Sequence, residues 1–121
     1  MLTDPQSAAP AAGAPAEEHA RRGDELRVQG QAQEAAASYE EALRLDPHHV
    51  GARVNLGIVR VGQGQLDEAI GHWGRILQLR PDCASAHNNL GVALTEQGKL
   101  EEGRASLERA LRLQPNDAEA A

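Results

Sequence analysis

The 121-residue chain has no phenylalanine, one tryptophan, one tyrosine and one cysteine. Lys99 is its only lysine, so nearly all of its positive charge is arginine. Each scarcity excludes something. A lone Cys83 cannot build a disulfide framework and suits a reducing compartment. An acidic chain, of formal net charge −6, is a poor match for nucleic acid, whose affinity rests on neutralising phosphates. It is equally poor for an anionic membrane surface. No apolar run approaches the roughly 20 residues of a membrane span, and the N-terminus has no basic n-region of a signal peptide; cytoplasmic residence is expected. The apolar content, 40%, is nearly all Ala, Leu and Val. That mix fits closely packed helices better than a sheet, which favours aromatic and β-branched residues.

The arrangement of these residues is periodic. Residues 1–15 are Ala/Pro-rich and read as a disordered tail. From Ala16 onward the sequence overlays itself when shifted by 34. Pro47, Pro81 and Pro115 share one column; Gly23, Gly57 and Gly91 a second; Gly30, Gly64 and Gly98 a third. The stretch HNNLGVALTEQGKL superficially suggests a phosphate loop. However, six residues separate Gly91 from Gly98 instead of four, and Leu100 stands where Ser or Thr is required. Gln31 and Gln65 occupy the lysine's column, so Gly98 is a repeated turn element and Lys99 is incidental.

Each unit divides into two helices. In the second, Val50 to about Gln63 is one helix, Gly64 a left-handed cap, and Leu66 to Leu79 the next, stopped by Arg80-Pro81. Asp82 and Asn116 follow their prolines as candidate N-caps. The expected organisation is three units (16–49, 50–83, 84–117) within residues 16–115, with 116–121 starting a fourth unit or a C-terminal cap. Neither helix of a unit can bury its apolar face without a neighbour.

Numbered from Ala16, Val50 and Ala84, these columns resemble the tetratricopeptide repeat (TPR). The second repeat carries Leu56, Gly57, Ala69, Trp73 and Pro81 at the family positions. The third carries Leu90, Gly91, Leu94, Ala110 and Pro115, but Gly103 where Ala is usual; the first carries Gly23, Ala35, Tyr39, Ala42 and Pro47, but polar His19 and Arg22. The resemblance implies an all-α, right-handed solenoid of three antiparallel helix pairs. Gly57 and Gly91 are then close-crossing positions, and Tyr39, Trp73 and Leu107 fill the space between helices.

No constellation for catalysis emerges, and neither a metal nor a cofactor is expected. The histidines lack metal-ligand spacing and read as solvated. The acidic pairs sit on adjacent helical positions and diverge by about 100°. A protein or peptide partner is expected instead. The resemblance implies that one stripe of each repeat's first helix lines a concave groove. The stripe offers Val54, Asn55 and Ile58 in the second repeat, Asn88, Asn89 and Val92 in the third, and Arg21 and Arg27 in the first. The alternative role for Val54, Ile58 and Val92 is packing against neighbouring helices. TPR domains that grip heat-shock chaperone C-termini use Lys, Asn, Asn, Lys and Arg. This chain has Ala20, Asp24, Asn55, Ser85 and Asn89 there, so that partner is not expected. Asn55 and Asn89 share one column and resemble the asparagine ladder of the O-linked N-acetylglucosamine transferases, which holds peptide backbone. The expected function is a scaffold binding an extended or helical segment; alternatives are a self-assembling structural protein or the recruiting module of a larger enzyme. Weak homo-oligomerisation is also expected from the incompletely covered C-terminal helix.

Overall fold

The computed structural model describes residues 13–113. Six α-helices follow one another: α1 (Gly13–Val28), α2 (Ala32–Leu45), α3 (Val50–Gly62), α4 (Leu66–Leu79), α5 (Ala84–Glu96) and α6 (Leu100–Leu113). Among the described residues there is no strand, so the all-α class is as expected. The chain divides after Leu56 into two compact units. In the first, α1 packs on α2; in the second, α5 packs on both α4 and α6.

Local chemistry sets these boundaries. Gly30, Gly64 and Gly98 have φ of 82°, 79° and 87°, the left-handed region that an L side chain enters at a cost of roughly 1–2 kcal/mol. Two backbone bonds recur around each. Gln31, Gln65 and Lys99 donate to the carbonyls of Leu26, Arg60 and Leu94 at 2.9, 2.7 and 2.9 Å, while the glycine itself donates three residues back. This is the Schellman pattern, which satisfies the last carbonyls of a helix. Between repeats, His49 donates to the Asp46 carbonyl and Cys83 to that of Arg80, both at 3.1 Å, closing a turn around Pro47 and Pro81.

Three boundaries depart from expectation. The first helix begins at Gly13, inside the supposed tail. Alanine favours helix, and Pro15 falls in the first turn, where its missing N–H is not needed. The remainder of that tail, Asn116 and the 116–121 segment lie outside the described residues. Asp82 does not cap α5: Cys83 holds that position, without a side-chain cap bond. At the equivalent position before α3, His49 does the capping. Its Nδ1 accepts from the Ala52 N–H at 3.0 Å, so its Nε2 carries the proton and donates to Glu17 at 2.7 Å. With its side chain 15% exposed, His49 is a structural element and not the solvated turn residue expected.

Inside each repeat a glycine faces a large inward-facing residue of the second helix. A Cβ at Gly23 would lie 2.6 Å from Tyr39 Cε1, one at Gly57 2.5 Å from Trp73 Nε1, and one at Gly91 2.6 Å from Leu107 Cγ. The third repeat goes further. A Cβ at Gly103 would strike the Thr95 hydroxyl and sit 2.9 Å from the Gly91 carbonyl oxygen. Because Thr95 Oγ1 donates to that same oxygen at 2.8 Å, α5 and α6 meet where even the usual alanine does not fit.

Tyr39 and Trp73 are 0% and 2% exposed, and a buried phenol needs a partner. Tyr39 donates to Asp24 Oδ1 at 2.5 Å and accepts from Arg27 Nε at 3.3 Å. Burial, reinforced by the bond to Asp24, pushes its pKa up to about 12.

We expect Gly57→Leu to destabilise the protein by about 1–3 kcal/mol through overpacking on Trp73. Exposed Lys99→Ala should stay within about 0.5 kcal/mol; thermal melts of the two variants compare them. Tyr39, the only tyrosine, should ionise near 12 in an ultraviolet titration of the folded protein; an inflection at its ordinary value of 10.0 would contradict its burial. The folded-state pKa lies above the unfolded one. The stability it confers is therefore complete below about pH 10 and lost as pH rises towards about 12. Tyr39→Phe should abolish that alkaline loss and cost about 0.5–1.5 kcal/mol at neutral pH, measured by denaturant unfolding at several pH values.

Candidate functional site

The two asparagines of the shared column differ in state. In the first unit, Asn55 Nδ2 donates to Asp24 Oδ1 at 2.9 Å, the same oxygen that accepts from Tyr39. Its amide retains the carbonyl oxygen and one N–H. Arg27 is held on the Tyr39 hydroxyl, while Arg21 is exposed.

Asn89, in the second unit, makes no side-chain hydrogen bond to any described residue. It lines a cavity of about 110 Å³ together with Ile58, Val61, Trp73, Val92, Ala93 and Glu96. The wall is almost wholly apolar. Ile58 and Val61 come from the last turns of α3, Trp73 from α4 and the remainder from α5. On α5, Asn89, Val92 and Glu96 recur at i, i+3 and i+7, the spacing of one helical face. Val92 is 47% exposed although flanked by core, which leaves an accessible apolar rim.

Of the expected groove residues, this cavity gathers Ile58, Asn89 and Val92. Val54 does not belong to an open surface: it is 8% exposed and is core, as the packing alternative had it. Asn88 is exposed and absent from the cavity wall. Trp73 was assigned from sequence to packing alone, yet the same ring forms part of the cavity wall. Its column predicts burial. Nothing in that column shows that Ile58 and Val92 leave the ring a side-chain-sized space.

The cavity wall carries few chemical groups. It contains one carboxylate, one amide and no basic or nucleophilic side chain. Its volume falls well below the roughly 300–1,000 Å³ of small-molecule sites and approximates one side chain; an engineered apolar cavity of about 150 Å³ holds benzene. Among the described residues no three His, Cys, Asp or Glu side chains are grouped to hold a metal. His87 is engaged locally, donating Nε2 to the Pro81 carbonyl at 2.9 Å, as Arg53 Nη2 does to that of Pro47 at 3.0 Å one repeat earlier. No described helix is long and apolar enough to cross a membrane.

No curated protein matches the chain in sequence. Several solved structures share its fold. The second TPR of Spaghetti (RPAP3), bound to the HSP90 peptide SRMEEVD, superposes with a TM-score of 0.79 at 22% identity, covering 84% of this chain and 94% of that one. The first TPR of the same protein, bound to the same peptide, gives 0.82 at 24% identity, with 87% and 83% covered. The crystal structure of MamA gives 0.78 at 22% identity, covering 90% of this chain but 63% of that one. The tetratricopeptide repeat family model matches residues 20–75 and 54–118. With matches spanning most of its length and a small-on-large helix crossing in all three repeats, the chain belongs to the tetratricopeptide repeat family.

Proposed function

We propose that this protein is a non-catalytic interaction module whose second unit captures an extended segment of a partner protein. The carrying observation is the apolar cavity beside an amide that no described residue engages. An apolar side chain of the partner enters between Ile58, Val61 and Val92, closing on the Trp73 ring. The Asn89 amide, with a donor and an acceptor on one group, pairs with a peptide unit of the partner's backbone. The apolar contact supplies affinity, and the amide selects extended backbone. Two structural neighbours hold an HSP90 peptide, which agrees with peptide binding by this fold. The acidic sequence of that peptide suits this chain poorly, since no arginine or lysine lines the cavity and Glu96 would oppose a carboxylate.

The test uses the protein's only tryptophan as reporter. Peptides lacking aromatic residues, selected from a displayed random library, should share an apolar residue and shift Trp73 emission on binding. Asn89→Ala should weaken them by about 2- to 12-fold, the equivalent of one neutral hydrogen bond. Val92→Asp should weaken them further, and neither substitution, at exposed Val92 or half-buried Asn89, should move the melting temperature appreciably. Silent Trp73 emission with affinity unchanged in both variants would assign binding to another surface.

A further inference from the structure

The charge and spacing of the cavity rim specify the occupant more narrowly. This inference rests on the peptide-binding reading above. Glu96 is the only charged residue in the cavity wall, is exposed and pairs with no described cation. Val92 and Glu96 are four residues apart on α5. At the helical rise of about 1.5 Å per residue their positions are separated by about 6 Å along the axis. In an extended strand, side chains on the same side recur every second residue, at about 6.6–6.8 Å. The two spacings match. A segment running along α5 that seats an apolar side chain beside Val92 therefore brings the side chain two positions away over Glu96. Asn89 lies one turn beyond Val92, about 4.5 Å along the axis, within reach of the peptide unit next to the anchor.

We propose that the second unit recognises an extended segment running in the same direction as α5 and consisting of an apolar residue, any residue, and then an arginine or lysine. The apolar side chain fills the cavity and the basic one pairs with Glu96. The arrangement favours a basic partner segment in a chain that itself carries a net charge of −6.

Three capped peptides test this, of sequence Gly-Ser-Leu-Gly-X-Ser-Gly with X as Arg, Gln or Glu. Each is titrated into the full chain while Trp73 emission is followed. Exposed ion pairs contribute modestly, so the Arg peptide should bind about 2- to 5-fold more tightly than the Gln peptide at low salt, and the Glu peptide should bind least. Glu96→Gln should erase the order among the three peptides, and about 1 M salt should compress it in the wild type. Moving the arginine next to the leucine should also remove its advantage. Equal binding of the Arg and Glu peptides, or a preference that survives Glu96→Gln, would overturn the charge assignment and leave peptide capture intact. If none of the three binds, the motif is wrong. If library-selected peptides also leave Trp73 unmoved, the binding reading itself falls.

Discussion

Everything in each repeat depends on one close crossing, in which a glycine of the first helix accepts a large side chain of the second. A helical glycine is about 1 kcal/mol less favourable than alanine. The aromatic that takes its space buries about 150–250 Å², corresponding to roughly 4–6 kcal/mol at about 25 cal/mol per Å². Packing therefore prevails over backbone propensity, and by a margin that tolerates the glycine in the two repeats that carry an aromatic. The crossing also places Trp73. Drawn against Gly57, its ring is anchored along one side, and another part of its surface remains available as cavity wall.

A second rule decides what the asparagines do. Asn55 meets Asp24, and Asn89 lies beside Ile58; the two pairs occupy equivalent columns. A carboxylate at the earlier position ties the amide down, whereas an isoleucine leaves it without a partner among the described residues and supplies an apolar wall. The same residue in the same column is thus a strut in one unit and an open amide at a cavity wall in the other. The difference comes from a single side chain on the first helix of the preceding repeat.

Much of the fold was legible because repetition exposes it. The proline and glycine columns locate the turns, and the sequence pattern alone marks Leu66 and Leu79 as the ends of a helix. What escaped the sequence concerns contacts between distant residues. His49 looked solvated because its partners, Ala52 and Glu17, are named only by the way the turn folds. Val54 and Ile58 occupy the same helical stripe, yet one is buried and the other lines a cavity, a distinction that periodicity does not carry. Gly103 read as a departure from the family pattern; it is the residue that lets Thr95 and the Gly91 carbonyl oxygen approach. The candidate site was legible as residue types on one face of α5. Its depth was not, because depth requires the Trp73 ring and the α3 side chains to be seen together.

The turns have a consequence for the protein's history. Every glycine hinge among the described residues is closed by bonds that reach no more than five residues back, and the proline corners at Pro47 and Pro81 each by one that reaches three. Each unit of 34 residues thus carries its own punctuation and borrows none from remote parts of the chain. A gene segment encoding one such unit can be copied or lost in register without rewriting any bend. Divergence is then free to act on the few incompletely buried positions of the first helix, where Asp24, Ile58 and Val92 already differ.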